Sequence, residues 1–444
     1  MRDYGLTFFV FSLVPLCLMR PWLGFICWYW LGLMNPHRLT WNFAYSMPFA
    51  SWIGGATLVG MVFARDRRPI AWTRETILMV VLFLYFCFTT LFAWAPSHAW
   101  PELEKVAKIF LMTLLMTMMI YGRQRIMAML YTIAFSIGFY GLNGALFVVK
   151  TGGAGQIKGP ENSFLDGNTF IGLALNMVLP LLLTLGREEK RRWLKMLLYT
   201  TFATSIISII FTTSRGAYLG LGAILPLMFL RARSKWLGLA LLVPALVAVQ
   251  FLPERIFDRA ELIENYQGDR SANQRLMSWS VAMHVARDYP ITGAGFEFEY
   301  APDQQRWLDY GDRKYDWAIH TSSAAHSIYF QVLGQHGIIA FALFVTLLFG
   351  SLLRLQSLKR EAKARSDQSW IAPYAGALQI ALIGYMVSGA FLSSAYFDLA
   401  YLFYALIAVF DRELRSAGAP AAAPAQVGAA SAPGPVGRTS TGSV

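Results

Sequence analysis

Long stretches without Asp, Glu, Lys or Arg alternate along this chain with short polar connections. The longer apolar stretches cover residues 39–64, 76–101, 126–149, 167–186, 196–214, 236–253, 317–353 and 368–397. Shorter ones cover residues 4–19, 21–37, 109–122, 216–230 and 399–410. Most are apolar on every face, which is typical of helices surrounded by lipid. Because a helix needs roughly 20 mostly apolar residues to cross a bilayer, the pattern predicts an all-α, polytopic bundle of about 12 transmembrane helices.

The composition excludes the main soluble classes. Of 444 residues, 56% are hydrophobic and 14% are charged, whereas a soluble domain carries about 25% charged residues. The formal net charge of +12 would suggest nucleic acid as a partner of a soluble protein. Here the basic residues cluster in alternate connections, which marks those connections as cytoplasmic. They lie at residues 65–74, 123–125, 187–195, 231–235 and 354–365. We therefore expect the lipid bilayer, and no nucleic acid, as the partner of this surface.

The same alternation divides the chain into four parts. We predict an N-terminal transmembrane bundle over residues 1–251, a large periplasmic loop with amphipathic helices over 252–323, C-terminal transmembrane helices over 324–412, and a disordered cytoplasmic tail over 413–444. The large loop has eight basic and twelve acidic residues, so it is net acidic, unlike the cytoplasmic connections. A helix is predicted within it over about 272–288, ending before Pro290. The other outer connections are predicted at 95–103, 150–167, 212–215 and 391–397.

Three ionisable residues are candidates for chemistry at the outer face. Arg215 lies in the short connection between two spans. Its guanidinium group either binds an anion such as phosphate or extends from the helix end toward the lipid headgroups. Arg275, in the large loop, either binds substrate or faces solvent and headgroups. His326 begins the next span, where we expect it to share a helical face with Leu333 and Gly337. A lone histidine in an apolar helix is usually a packing residue, but an imidazole with a pKa of about 6.5 can also act as a general base.

These three residues together suit a reaction in which a diphosphate leaves. A diphosphate leaves as an anion and needs little protonation, so one base acting on the attacking hydroxyl would be enough. Arg287, on the same predicted helix as Arg275, and Lys108, at a predicted outer helix start, are further candidates for binding the diphosphate or substrate. The sequence has no Cys/His cluster with zinc spacing and no phosphate-binding loop. We therefore expect no metal and no cofactor.

At these residues the sequence resembles the O-antigen ligase and polymerase superfamily. The family signature of His-Ser, nine residues and Gly corresponds to His326, Ser327 and Gly337. The Ser214–Gly216 turn around Arg215 and the pair Arg275 and Trp279 also resemble the family. Residues 288–296 are similar to its Asn/Asp-x-Pro-x-x-Gly-x-Gly-Phe element, and residues 33–41 to O-glycosylation ligases associated with exosortase systems. The resemblance covers about residues 1–412, and it departs at Ala342, where some versions have Gly, Thr or Tyr.

The resemblance implies a membrane-embedded glycosyltransferase of the bacterial inner membrane, with its active site facing the periplasm. The donor would be a glycan on undecaprenyl diphosphate, and the acceptor a sugar hydroxyl of the lipid A–core oligosaccharide of lipopolysaccharide. His326 would be the base, and Arg215 and Arg275 would hold the diphosphate in a metal-independent, inverting reaction.

Three alternatives stay open. An O-antigen polymerase or a protein O-glycan ligase would use the same donor with a different acceptor. A transporter or flippase for lipid-linked glycan would be expected to have internal repeats and acids in mid-span. The sequence has neither feature.

Overall fold

The computed structural model describes residues 1–231, 270–312 and 321–416. Every regular element within these ranges is helical. In chain order the α-helices are α1 (Arg2–Met19), α2 (Pro21–Met34), α3 (Phe49–Phe63), α4 (Arg74–Thr90), α5 (Pro96–Met119), α6 (Gly122–Thr151), α7 (Gly167–Glu188), α8 (Arg192–Phe211), α9 (Arg215–Leu230), α10 (Arg270–Asp288), α11 (Gln304–Asp309), α12 (Ile328–Lys363), α13 (Ile371–Gly389) and α14 (Asp398–Ser416). Short 3-10 helices cover Pro36–Leu39, Phe43–Ser46 and Phe298–Tyr300.

Six helices of the described ranges are long and apolar enough to cross a membrane, namely α1, α6, α7, α8, α12 and α13. Helices α3 and α9 are shorter but also apolar. The chain is therefore a multi-pass membrane protein with an all-helical fold, while the total of about 12 spans stays a prediction. Helix α14 continues to Ser416, past the predicted start of the tail at residue 413. The rest of that tail, and residues 232–269 and 313–320 of the predicted bundle and large loop, lie outside the described residues.

The first apolar region, residues 4–34, forms two helices. Helix α1 ends at Met19, and α2 begins at Pro21 after a break at Arg20. Proline is tolerated in the first turn of a helix because its missing N–H has no partner to lose there. The start of α1 is held by Asp3, whose buried carboxylate accepts hydrogen bonds from two backbone N–H groups of the connection that follows α2.

The prediction of an outer connection over residues 95–103 is wrong. The charge-free stretch 76–101 contains the end of α4 and the beginning of α5, which starts at Pro96. A search for charges cannot detect this break because the five residues between Thr90 and Pro96 are as uncharged as the adjoining ends of the two helices. As a consequence, Lys108, which was predicted at an outer helix start, lies inside α5.

Helices α7 and α13 pack against each other in the centre of the bundle, and 83% of the apolar window of each is buried. Around them, α6 packs closely against α8. The contact is made by glycines of α6 facing small polar residues of α8, namely Gly138, Gly141 and Gly144 against Thr201, Ser205 and Ser208. Small residues let two backbones approach closely, which drives helix association in lipid, where apolar burial alone contributes little.

Candidate active site

Arg215 is the first residue of α9, at the end of the helix predicted to face outward. The preceding Ser214 caps the helix by accepting a hydrogen bond from the Ala217 N–H at 3.3 Å. Directly after the arginine, a Cβ on Gly216 would lie 3.3 Å from the Ser388 carbonyl oxygen and 3.4 Å from Phe391 Cβ. The absence of a side chain at Gly216 therefore lets the start of α9 lie against the end of α13.

Asn176 of α7 also contacts α9 and α13. It is fully buried in α7, and its Nδ2 donates to the Ala217 carbonyl at 2.8 Å and to Ser388 Oγ at 3.2 Å. Both partners lie within two turns of the site: Ala217 follows Arg215, and Ser388 precedes the 391–397 connection. A polar side chain is costly to bury unless it makes such bonds, so this asparagine ties α7, α9 and α13 together beneath the arginine.

Arg275 lies in the first half of α10, whose bounds confirm the helix predicted over about 272–288. One turn further on, Trp279 Nε1 donates to the Ala325 carbonyl at 2.7 Å. The same indole stacks on Phe330, with ring centroids 4.9 Å apart, and lies 6.3 Å from the Phe391 ring. Trp279 thus connects the helix of Arg275 both to the segment that carries His326 and to the residue that packs beside Arg215.

His326 precedes α12, which begins at Ile328. Its backbone is left-handed, with φ of +47°, a conformation that non-glycine residues adopt uncommonly and often at functional sites. The expectation that His326 shares a helical face with Leu333 and Gly337 is therefore wrong, because the helix starts after the histidine and is broken at Gly337. The His326 N–H donates to Ser393 Oγ at 2.7 Å, which fixes the histidine against the 391–397 connection.

Burial lowers the pKa of His326 below its ordinary value, and the positive charge of Arg275 lowers it further. Both effects disfavour the imidazolium ion. The ring is therefore neutral at neutral pH and can accept a proton. The helix of Arg275 also reaches this segment directly, because Trp279 donates to the carbonyl of Ala325, the residue before His326.

The other two predicted site residues have different surroundings. Lys108 is exposed and forms an ion pair with Glu104 at 2.6 Å. Arg287 is also exposed and forms an ion pair with the neighbouring Asp288 at 3.1 Å. Arg287 is twelve residues beyond Arg275, which corresponds to about 18 Å along the helix. No described contact joins either residue to His326, and their roles in binding stay predictions.

Two further ionisable residues have surroundings that only the structure shows. Lys105 lies 4.3 Å over the ring of Phe164 and forms an ion pair with Glu102. Glu299 is buried outside the spans, and burial raises its pKa to about 7. The contact of Lys105 with Phe164 and the burial of Glu299 could not be read from sequence, because each depends on segments that are far apart along the chain.

Among the described residues, no group of three or more His, Cys, Asp or Glu side chains is arranged to hold a metal ion. The three cysteines, Cys17, Cys27 and Cys87, are free thiols.

Two parts of the chain match known families. Residues 1–190 match a family of unknown function, DUF5935. Residues 200–345 match the O-antigen ligase family. No curated protein matches the chain significantly. The second match extends from α8 into α12 and contains Arg215, Arg275 and His326. Residues 200–345, which hold all three candidate residues, are therefore similar to the O-antigen ligase family.

Proposed function

We propose that this protein is an O-antigen ligase. It transfers a glycan en bloc from undecaprenyl diphosphate to a sugar hydroxyl of lipid A–core oligosaccharide, on the periplasmic side of the inner membrane. His326 is the general base, and Arg215 and Arg275 bind the diphosphate. The observation that carries this proposal is the setting of His326: a half-buried imidazole joined to the helix of Arg275 through the Trp279–Ala325 hydrogen bond, inside the residues that match the O-antigen ligase family.

The proposed reaction is a single displacement. The acceptor hydroxyl gives its proton to the His326 imidazole while its oxygen forms a bond to the anomeric carbon of the donor glycan. The bond from that carbon to the diphosphate oxygen breaks on the opposite face, so the anomeric configuration is inverted. Undecaprenyl diphosphate leaves with the bonding electron pair. Its developing charge is stabilised by the two guanidinium groups, whose planar forks match phosphate oxygens. This scheme assigns no step to a metal or cofactor.

Contacts around Trp279 support the joint action of the three residues. The indole touches the segment of His326 through Ala325 and lies beside Phe391, against which the turn after Arg215 packs. A base and an anion-binding group joined by such a short series of contacts can act together, one on the attacking hydroxyl and the other on the leaving diphosphate. Positioning of this kind contributes a large part of the rate when the reacting groups are held in line.

The test is transfer by the purified protein from undecaprenyl-diphosphate-linked glycan to rough lipopolysaccharide, with and without a chelator. We expect transfer in both conditions. His326→Ala should still bind donor but lose transfer, whereas His98→Ala, an exposed histidine of α5, should behave as wild type. Normal transfer by His326→Ala would refute the assigned base, and loss of transfer on adding chelator would refute the metal-independent scheme.

Binding measurements separate the roles of the basic residues. Arg215→Ala and Arg275→Ala should each weaken binding of free undecaprenyl diphosphate. The same measurement on Arg287→Ala and Lys108→Ala decides whether these exposed residues also contribute. Wild-type affinity in the Arg215 and Arg275 variants would contradict the proposed diphosphate site.

The products of the same assay separate the alternatives. A ligase adds one complete glycan to each core, whereas a polymerase elongates the lipid-linked glycan itself, and a protein ligase labels an added protein acceptor. Movement of intact donor across proteoliposomes without covalent transfer would indicate a transporter.

A further inference from the structure

Helix α12 is broken nine residues after its start. Gly337 has φ of +76° and ψ of −173°, which divides the helix into a first part over 328–336 and a second part from 338 onward. Such a break leaves carbonyl groups at the end of the first part, and N–H groups at the start of the second, without helical partners. In a membrane protein such groups must find partners within the protein, because lipid offers none.

A bridging segment, residues 289–296, supplies the missing partners. It follows α10 directly and runs beside the break. Three backbone hydrogen bonds join it to both sides of the break: Ala294 N–H to Gly334 O at 3.0 Å, Gly295 N–H to Gln335 O at 2.8 Å, and Ile338 N–H to Pro290 O at 2.8 Å. The bridging segment therefore replaces the turn of hydrogen bonds that α12 loses at Gly337.

Glycines make this close approach possible. Gly293 has φ of +59°, and a Cβ there would lie 2.5 Å from the Gln335 carbonyl oxygen. Gly337 is also left-handed, and its Cβ would collide with the Pro290 carbonyl. Residues with a side chain disfavour this backbone conformation and would here meet backbone atoms that cannot rotate away. These glycines belong to the two sequence elements that resemble the family around residues 288–296 and 326–337.

An aromatic side chain fixes the far end of the bridging segment. The fully buried Phe296 lies with its ring centroid 4.4 Å from that of His336 and 5.0 Å from that of Tyr396. His336 is itself held by both ring nitrogens, through Thr89 Oγ1 at 2.6 Å and the Tyr396 hydroxyl at 2.9 Å. Because the buried Phe296 ring packs against these fixed neighbours, it holds the end of the bridging segment in place against α12.

We propose that the bridging segment is a positioning element of the active site, which sets the place of His326 relative to Arg275. The bridging segment continues α10, which carries Arg275, and its hydrogen bonds hold the first part of α12, which His326 immediately precedes. A close helix contact reinforces the link, because a Cβ on Gly334 would lie 3.0 Å from Ala282 Cβ of α10. This inference rests on the proposed function of His326 as the base.

The test uses Gly293→Ala, which disturbs the approach to the break, and Phe296→Leu, which keeps the backbone bonds and weakens the anchor. Gly55→Ala is the control, because a Cβ there meets nothing within 4 Å. Since displacements of about 1 Å can reduce a rate about 100-fold, we expect kcat to fall by about that factor in Gly293→Ala and by less in Phe296→Leu, with no change in the control. If Gly293→Ala does not fold, Phe296→Leu carries the test.

The pH dependence distinguishes positioning from simple destabilisation. The acidic limb of the kcat/KM profile reports the pKa of the free enzyme's base. If the bridging segment holds His326 close to Arg275, its disturbance should move that limb to higher pH, toward the ordinary histidine value. A variant that merely folds less well would have a lower kcat/KM at every pH, with the acidic limb at the same pH as in the wild type. That result would overturn the proposal.

A direct measurement separates this inference from the proposed function. The pKa of His326, measured by NMR on protein with labelled histidine, should rise in both variants whether or not transfer is detected. A wild-type acidic limb that persists in His326→Ala would refute the base itself. An unchanged His326 pKa in folded variants would refute only the positioning role of the bridging segment.

Discussion

Two glycines of α9 differ sharply in what a methyl group would meet. A Cβ on Gly220 would collide with Ser388 Oγ and lie 2.7 Å from Asn176 Nδ2, whereas a Cβ on Gly222 meets nothing within 4 Å. The substitutions Gly220→Ala and Gly222→Ala therefore make the same chemical change two residues apart on one helix. Only Gly220→Ala is expected to push α9, the helix that Arg215 begins, away from α7 and α13.

The expected magnitudes follow from three effects. Replacing a helical glycine by alanine stabilises by at most about 1 kcal/mol, and both variants share this effect. Overpacking at Gly220 costs about 1–3 kcal/mol. If Ser388 turns away to make room, the hydrogen bond from Asn176 is lost as well, which costs about 1 kcal/mol. We expect a net destabilisation of about 2 kcal/mol for Gly220→Ala, and no loss of stability for Gly222→Ala.

The assay is thermal unfolding of both variants in the same detergent, followed by binding of undecaprenyl diphosphate well below the melting temperature. Gly220→Ala should melt several degrees lower than Gly222→Ala. It should also bind the ligand more weakly, because the helix that Arg215 begins is displaced. Equal melting temperatures for the two variants would refute the close contact of α9 with Asn176 and Ser388.

Further predictions concern the surroundings of the site. Trp279→Phe keeps the stacking on Phe330 but removes the N–H that donates to Ala325, so kcat should fall while the melting temperature changes by only a few degrees; an unchanged kcat would contradict the role of this bond. Glu299→Gln removes a buried carboxyl whose pKa is raised to about 7. The folded state binds the proton of Glu299 more tightly than the unfolded state does. The folded protein therefore loses stability as the pH rises from the ordinary pKa of glutamate toward 7. Glu299→Gln should therefore raise the melting temperature at about pH 8 but not at about pH 4, and an equal effect at both would refute the burial argument.

Local signals predicted those elements whose ends are marked in the sequence. Helix α10 was expected over about 272–288 and extends over Arg270–Asp288, because its apolar periodicity ends just before a proline. The start of α5 was missed because no change of charge or polarity marks it. The same limitation affects any charge-free stretch that contains a short turn, since membrane helices and uncharged turns have similar composition.

For the candidate site, the sequence could nominate residues but could not show how they are arranged. Arg215, Arg275 and His326 could be assigned to one face because the basic connections define the opposite one. The contacts between them depend on Trp279 and Phe391, which are separated by more than a hundred residues and have no signal that links them. The left-handed backbone of His326 was equally hidden, because nothing local distinguishes a histidine before a helix from one inside its first turn.

The position of His326 before α12 has a consequence for how a base can work at a membrane surface. Inside a helix its side chain would be confined to the face that the helix turns toward its neighbours, and its backbone N–H would be committed to that helix. As the structure has it, the N–H donates to Ser393 and the imidazole lies under the influence of Arg275. The two groups that locate the histidine therefore come from different segments, the 391–397 connection and α10. Trp279 of α10 contacts both Ala325, beside His326, and Phe391 of that connection, so the two segments are packed together. If His326 is the base, as proposed, contacts from two separate segments keep its backbone in place beside the helix of Arg275.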